Sequence, residues 1–150
     1  MKLLHSSLFF LLFSLTLFSC NESEEPKVTL PDGNNKISGD LEIIKKGTFI
    51  AQSGSNTKGT IELGSDDDGE YYLRLSDDFN SNFHTGTVTV YLSTSSNLML
   101  SETTSYQLVA VVDEGGEHYF KLPNFPNAKF SHGILWCGAA AIPFGFAELK

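Results

Sequence analysis

The sequence predicts an all-β fold, an antiparallel β-sandwich or barrel-like domain that follows a signal peptide and a flexible tether. Short segments of alternating apolar and polar residues recur at spacings of about 8–12 residues, with turn residues between them. No stretch has the sustained apolar repeat of about 3.6 residues that marks an amphipathic helix. Together these two observations favour sheets over helices.

The first twenty residues have the pattern of a bacterial lipoprotein signal. After Lys2, the segment Leu8–Leu17 is an uncharged apolar core of ten residues, shorter than the roughly 20 that span a bilayer and typical of a secretory signal. The segment LFSC that ends at Cys20 resembles the lipobox, with Phe18 bulkier than the usual residue. We predict a signal peptide over 1–19 and a lipid anchor on Cys20. The alternative is an ordinary signal peptide with Cys20 as a chance residue.

A polar tether is predicted from residue 20 to residue 40, followed by one β domain over 41–150. The segment NESEEPKVTLPDGNNKISGD contains too few apolar residues to fold alone. Its acidic start, 22–25, resembles the signal that sends some lipoproteins to the outer face of the outer membrane. We therefore expect an exported protein anchored in the bacterial outer membrane and exposed at the cell surface. A solvated linker without an address is the alternative.

The charge of the chain restricts its partners. The chain has 10 Lys and Arg against 18 Asp and Glu, a formal net charge of −8. Such a surface repels nucleic acid, which we exclude as a partner. The expected partners are the membrane, through the lipid at Cys20, and an unknown redox or surface protein.

Five strands and two turns are predicted before the C-terminal segment. The turns are Asp68-Gly69, a strong hairpin signal, and 113–116, DEGG. The C-terminal segment holds one or two further strands, with Pro143 marking a break or an edge. The five predicted strands are Lys58–Leu63, Glu70–Leu75, Thr87–Ser93, Tyr106–Val112 and Glu117–Leu122.

Catalytic and metal motifs are missing from the sequence, so no metal site is predicted and enzymatic activity stays open. The acidic segment 66–70 lacks an acid at Gly64 and a glutamate at Leu75, which a calcium loop would need. No Gly-x-Ser-x-Gly or Cys-x-x-Cys occurs. The four histidines fit no known pattern: His5, His84, His118 and His132.

Cys137 is the candidate functional residue, because oxidising compartments tend to pair or remove free thiols. It lies in the apolar segment ILWC, which predicts a buried strand. Alternation places Leu135 and Cys137 on one face and His132 and Trp136 on the other, with Trp136 as a core anchor. His132 could reach the thiol only through a bulge at Gly133. Cys137 is therefore either core packing or a thiol with redox or haem-ligand chemistry.

The C-terminal segment resembles that of the DM-thirteen domain family. The resemblance is carried by Ile134–Cys137, ILWC, and Phe144–Leu149, FGFAEL, with weaker matches upstream that cover about Lys45 to Leu149. It implies a cell-surface electron-transfer domain in which Cys137 acts as a bare thiol or as a ligand to a group such as haem. The sequence departs from the family at Thr87 and Val88, which replace the usual Pro and Asp.

Two hypotheses of function follow. The first is an electron-transfer or redox domain that uses Cys137, with haem as a possible cofactor. The second is a non-catalytic surface module that binds a protein or a glycan, with Cys137 as core packing. Its candidate contact residues are Tyr71, Tyr72, Phe83 and Tyr91.

Overall fold

A computed structural model describes residues 35–150, in which two antiparallel sheets pack against each other as a β-sandwich. The predicted fold class is confirmed. Cys20, the predicted signal peptide and most of the predicted tether lie outside the described residues. Between residues 35 and 150, no helix is long and apolar enough to cross a bilayer.

Nine strands form the two sheets. The four-stranded sheet has the order β1-β3-β4-β7, and the five-stranded sheet has the order β2-β9-β8-β5-β6. In chain order the strands are β1 (Glu42–Thr48), β2 (Ile50–Ala51), β3 (Thr60–Ser65), β4 (Tyr71–Leu75), β5 (Val88–Ser93), β6 (Tyr106–Val112), β7 (His118–Leu122), β8 (His132–Cys137) and β9 (Ile142–Glu148).

The five predicted strands correspond to β3 to β7, and the C-terminal segment forms β8 and β9. The predicted β3–β4 hairpin turns at Gly69, whose φ of 76° suits a glycine. Pro143 lies within β9 where the register against β8 shifts, so it occupies a bulge. Strands β1 and β2 were not predicted, because EIIKKGTFIA has no regular alternation.

The sandwich is closed on one side and open on the other. The chain leaves the four-stranded sheet at the end of β1 and enters the five-stranded sheet at β2, with buried Phe49 between them. Lys46 and Lys150 exchange two backbone hydrogen bonds of 3.0 Å, which join β1 to the residues after β9. On the opposite side, β6 and β7 are not hydrogen-bonded neighbours. Among the described strands, β6 is therefore an edge of the five-stranded sheet.

The core lies between the inner faces of the sheets. Its largest fully buried side chains include Phe79, Phe120 and Leu135, and every member of the core cluster lies between Phe49 and Leu149. Residues 35–150 therefore contain an extensive hydrophobic core, which is what an independently folding domain needs.

Candidate functional site

Cys137 lies at the end of β8, an interior strand of the five-stranded sheet. It is paired with Val88 of β5 on one side and with Ile142 of β9 on the other. The Cys137 side chain belongs to the core cluster and is 0% exposed. The thiol is therefore enclosed between the sheets.

The segment before β5 covers the thiol. Thr85 approaches the Cys137 Sγ with its Oγ1 at 3.7 Å and its carbonyl oxygen at 4.0 Å. The Gly138 N–H donates to the carbonyl of Thr87 at 2.8 Å, which fixes this segment against the end of β8. These contacts are polar but neutral, so they supply no base that would ionise the thiol.

Among residues 35–150, no histidine contributes to the cysteine site. His84 is exposed, and His132 lies on the face of β8 that points away from the core, with its Nδ1 2.9 Å from Ser131 Oγ. His118 is buried and stacks on Phe120 at 5.9 Å. In the part of the chain that the structure describes, no group of three or more His, Cys, Asp or Glu residues could hold a metal ion.

The departure from the DM-thirteen pattern lies directly beside Cys137. Val88, at the position where that family usually has Asp, pairs with Cys137 and is 0% exposed. An apolar side chain there gives the thiol neither an acidic nor a basic partner.

The alternation predicted for β8 is confirmed, but the role predicted for Trp136 is wrong. Leu135 and Cys137 point into the core, whereas His132 and Trp136 are partly exposed on the opposite face. Trp136 is not a core anchor, because it lies outside the core cluster. Ala139 follows the strand and is exposed in the turn between β8 and β9.

The side of the five-stranded sheet that points away from the core carries most of the exposed apolar side chains near β8. Strand pairing places these residues in three rows, which we call the outer face. The central row crosses all five strands. The central row is Ile50, Phe146, Ile134, Tyr91 and Leu108; the flanking rows are Pro143, Trp136, Thr89 and Val111, and Glu148, His132, Ser93 and Tyr106.

The outer face is apolar and closely packed at its centre. Ile134 is 0% exposed although it is not a member of the core cluster, so the aromatic side chains around it close over it. Tyr91 and Tyr106 meet edge to face at 5.7 Å. The border of this surface is aliphatic, with Ile50 57% exposed and Val111 43% exposed. The face thus has a packed aromatic centre and an exposed aliphatic border.

Charge is confined to one corner of the outer face. Glu148 is its carboxylate, and it pairs with Lys150 at 3.2 Å. The outward side of the four-stranded sheet is different, because Arg74 bonds there to Glu62 at 2.7 Å and to Glu117 at 2.6 Å. Burial lowers the pKa of Arg74, but the bonds to Glu117 and Glu62 outweigh burial and raise it. The outward side of the five-stranded sheet is therefore mainly uncharged, whereas that of the four-stranded sheet carries the ion pairs of Arg74.

Of the four aromatic contacts predicted from the sequence, the structure rules out one. Tyr72 is 4% exposed and cannot be a surface contact. Tyr71 and Phe83 are partly buried against the core. Of the predicted four, Tyr91 lies on the outer face. Trp136 and the other ring residues of this face were missed, although the apolar residues at both alternating positions of ILWC were a signal for them.

A cleft of about 500 Å³ lies beside the junction of β1 and the C-terminus. Its charged side chains are Lys46, Glu62, Glu148 and Lys150. Glu62 is bonded to Arg74 and Glu148 to Lys150, so these carboxylates already have cationic partners. The carboxylates of the cleft are therefore not free to select a cationic ligand.

Three comparisons with known proteins assign this chain to no family. No family model, no curated protein and no solved structure matches it. The resemblance to the DM-thirteen family stays a prediction.

Proposed function

We propose that this domain is a non-catalytic binding module whose outer face docks on an apolar surface of another protein, with Cys137 as core packing. The observation that carries the proposal is the central row of the outer face, an uncharged line of side chains across all five strands. In this proposal, the lipid predicted on Cys20 holds the module at the cell surface.

The composition of the outer face is that of a protein interface. The centres of such interfaces are depleted in charge and enriched in aromatic residues. Trp and Tyr are the commonest residues whose truncation weakens binding strongly, and they occur near the middle of the contact. Tyr91 lies in the central row and Trp136 lies in a flanking row on the neighbouring strand, and the face has its one carboxylate, Glu148, at a corner.

The aliphatic border favours a protein over a glycan. Aromatic rings can stack on sugars as well as on side chains, so Trp136 and Tyr91 serve either ligand. Exposed Ile50, Leu108 and Val111 offer a sugar no hydrogen bond, whereas they gain free energy when another apolar surface covers them. We therefore expect an apolar protein surface as the occupant.

The size of the outer face suits a weak or transient contact. Strands about 4.8 Å apart and a same-face repeat of about 6.8 Å give its three rows an area of roughly 400 Å². Stable complexes bury about 800 Å² on each partner. A single outer face is therefore too small for a permanent complex and is comparable to the largest apolar patches of monomeric proteins.

The electron-transfer hypothesis rests on the DM-thirteen resemblance. Cys137 is fully enclosed, and Val88 stands where that resemblance expects an acid. Redox chemistry at Cys137, with or without haem, stays a prediction that the surroundings of the thiol do not favour.

Site-specific photo-crosslinking in cells that express the full chain tests the binding proposal. A photoreactive phenylalanine analogue would replace Ile50, on the outer face. The matched control would replace Ile44, an isoleucine of β1 that is 48% exposed. We expect one discrete protein adduct from position 50 and none from position 44. Trp136→Ala should reduce the adduct at least about tenfold, as truncation of a central aromatic does.

A second measurement uses Trp136, the single tryptophan of the chain. The crosslinked protein, once identified and purified, should shift the emission of Trp136 on binding. Equal adducts from positions 50 and 44, or emission that the purified protein leaves unchanged, would contradict the proposal. A shift produced by soluble oligosaccharides instead would assign the outer face to a glycan.

A further inference from the structure

Strand β6 is an unusual edge. Its seven residues, YQLVAVV, contain no charge and no proline. Natural edge strands are commonly protected by lysine, proline, shortness, a β-bulge or a covering segment, because their free backbone groups pair readily with another strand. Of these devices, β6 has a bulge, at the register shift against β5. Among the strands that the structure describes, only β5 pairs with β6. The long side of β6 opposite β5 is therefore left for another strand.

The side chains of β6 are arranged symmetrically about the middle of the strand. Leu108 and Val111 point outward and are 37% and 43% exposed. Between them, Val109 and Ala110 are both buried, because the register against β5 shifts at this point. The order from Leu108 to Val111 is thus outward, inward, inward, outward, and it reads the same in both directions.

We propose that β6 pairs antiparallel with β6 of a second copy of this chain, about a two-fold axis between Val109 and Ala110. This register places Leu108 opposite Val111 of the second copy, and Val111 opposite its Leu108. Val109 and Ala110 oppose each other on the inward side. Because outward residues meet outward residues throughout, the bulge is matched across the axis rather than opposed by a regular strand.

The charges at the ends of β6 also favour antiparallel pairing. Asp113 and Glu114 follow the strand and are exposed. At its start, Lys129 Nζ donates to the carbonyl of Thr104 at 2.6 Å, with Glu102 exposed nearby. Antiparallel pairing places the acidic end of each copy beside Lys129 and Glu102 of the other, whose opposite charges offset each other. A parallel arrangement would bring the two acidic ends together.

The pairing has a consequence for the outer face. A two-fold axis perpendicular to the sheet joins two five-stranded sheets into one of ten strands, with both outer faces on the same side. The joined surface measures roughly 800 Å², which is the size that a stable partner buries. The inference goes beyond the proposed binding function, and it is tested without any ligand.

The pairing is tested by the molecular mass in solution of a protein that consists of residues 35–150, because these residues contain the hydrophobic core described above. Analytical ultracentrifugation between about 1 and 500 μM should show a monomer–dimer equilibrium. Val111→Lys should weaken dimerisation about tenfold or more, because each dimer loses two symmetry-related apolar pairs and gains two charges at the interface. Ile43→Lys is the matched control: Ile43 is also on an edge strand, is 44% exposed, and should leave dimerisation unchanged.

A charge pair tests the register. Leu108→Glu alone should also weaken the dimer, whereas the double variant Leu108→Glu, Val111→Lys should restore it through two Glu–Lys pairs across the axis. Failure of this restoration would overturn the register. A protein that stays monomeric at 500 μM, or a dimer that Val111→Lys leaves intact, would overturn the pairing and leave the edge to an extended peptide of another protein.

Discussion

Replacing Cys137 by alanine should produce a folded, slightly less stable protein with unchanged binding. The substitution removes one buried heavy atom, the Sγ, from a side chain that is 0% exposed. Removal of one buried methyl-sized group typically costs about 1 kcal/mol. For a domain of this size that loss lowers the melting temperature by about 4 °C. A thiol that only packs has no further effect.

The rate at which the native thiol reacts measures directly whether Cys137 is enclosed in the core. The Cys137 Sγ must open to solvent before a disulfide reagent can reach it. If opening requires unfolding, with a free energy of at least about 5 kcal/mol, labelling should be at least about a thousandfold slower in native than in denatured protein. The assay is stopped-flow absorbance with a chromogenic disulfide reagent on residues 35–150, with and without denaturant.

Two outcomes would refute this reasoning. One is a native thiol that reacts within about tenfold of the denatured rate, because such a thiol is accessible or ionised. The other is a Soret band in protein made by a haem-producing host, if that band disappears in Cys137→Ala. Either outcome would return Cys137 to the redox role that the DM-thirteen resemblance implies.

Two further predictions concern the fold. Gly133→Ala should destabilise the protein by about 1–3 kcal/mol, because the new Cβ would lie 2.5 Å from Ile61 Cδ1. Ile61→Val should relieve this contact. Thermal unfolding is the measurement, and the control Gly138→Ala, whose new Cβ would make ordinary contacts, should be nearly neutral. The Asp66 carboxylate accepts hydrogen bonds from the backbone N–H groups of residues 38, 68 and 70. Burial raises the pKa of Asp66, but these hydrogen bonds outweigh burial and lower the pKa from 3.8. The contribution of ionised Asp66 to the stability of the folded protein should therefore be complete above about pH 4 and should be lost as the pH falls through the lowered pKa. In denaturant titrations between pH 2 and 6, Asp66→Asn should remove this dependence of the unfolding free energy on pH. The control Asp68→Asn, at an exposed position, should keep the dependence.

Local sequence patterns predicted the strands that have one polar face and a marked turn. The β3–β4 hairpin is an example, because Leu73 and Leu75 alternate with polar neighbours and Gly69 permits the positive φ of the turn. The enclosure of Cys137 was also one of the two predictions from the sequence. These features depend on period and turn chemistry, which neighbouring residues determine.

The same rules were insufficient for β1, Trp136 and Tyr72. Strand β1 has exposed Ile43 and Ile44 in succession, so no alternation marks it, and pairing with β3 holds it in the sheet. Trp136 is apolar, and hydrophobicity alone assigns it to the core. Tyr72 has a polar hydroxyl and neighbours Arg74 along the strand, which suggested exposure. In each case, strand formation or side-chain burial depended on which strand pairs with the segment and on which side chains the opposite sheet covers.

By itself, the sequence determined that this chain forms antiparallel strands and which face of β8 carries Cys137, because both follow from the two-residue repeat of a strand. Only the tertiary structure decided that β8 is an interior strand beside Val88, that its other face contributes to an apolar surface across five strands, and that β6 is a free edge. Those properties depend on strand order. Strand order is set by the packing of residues far apart in the chain, which no local pattern encodes.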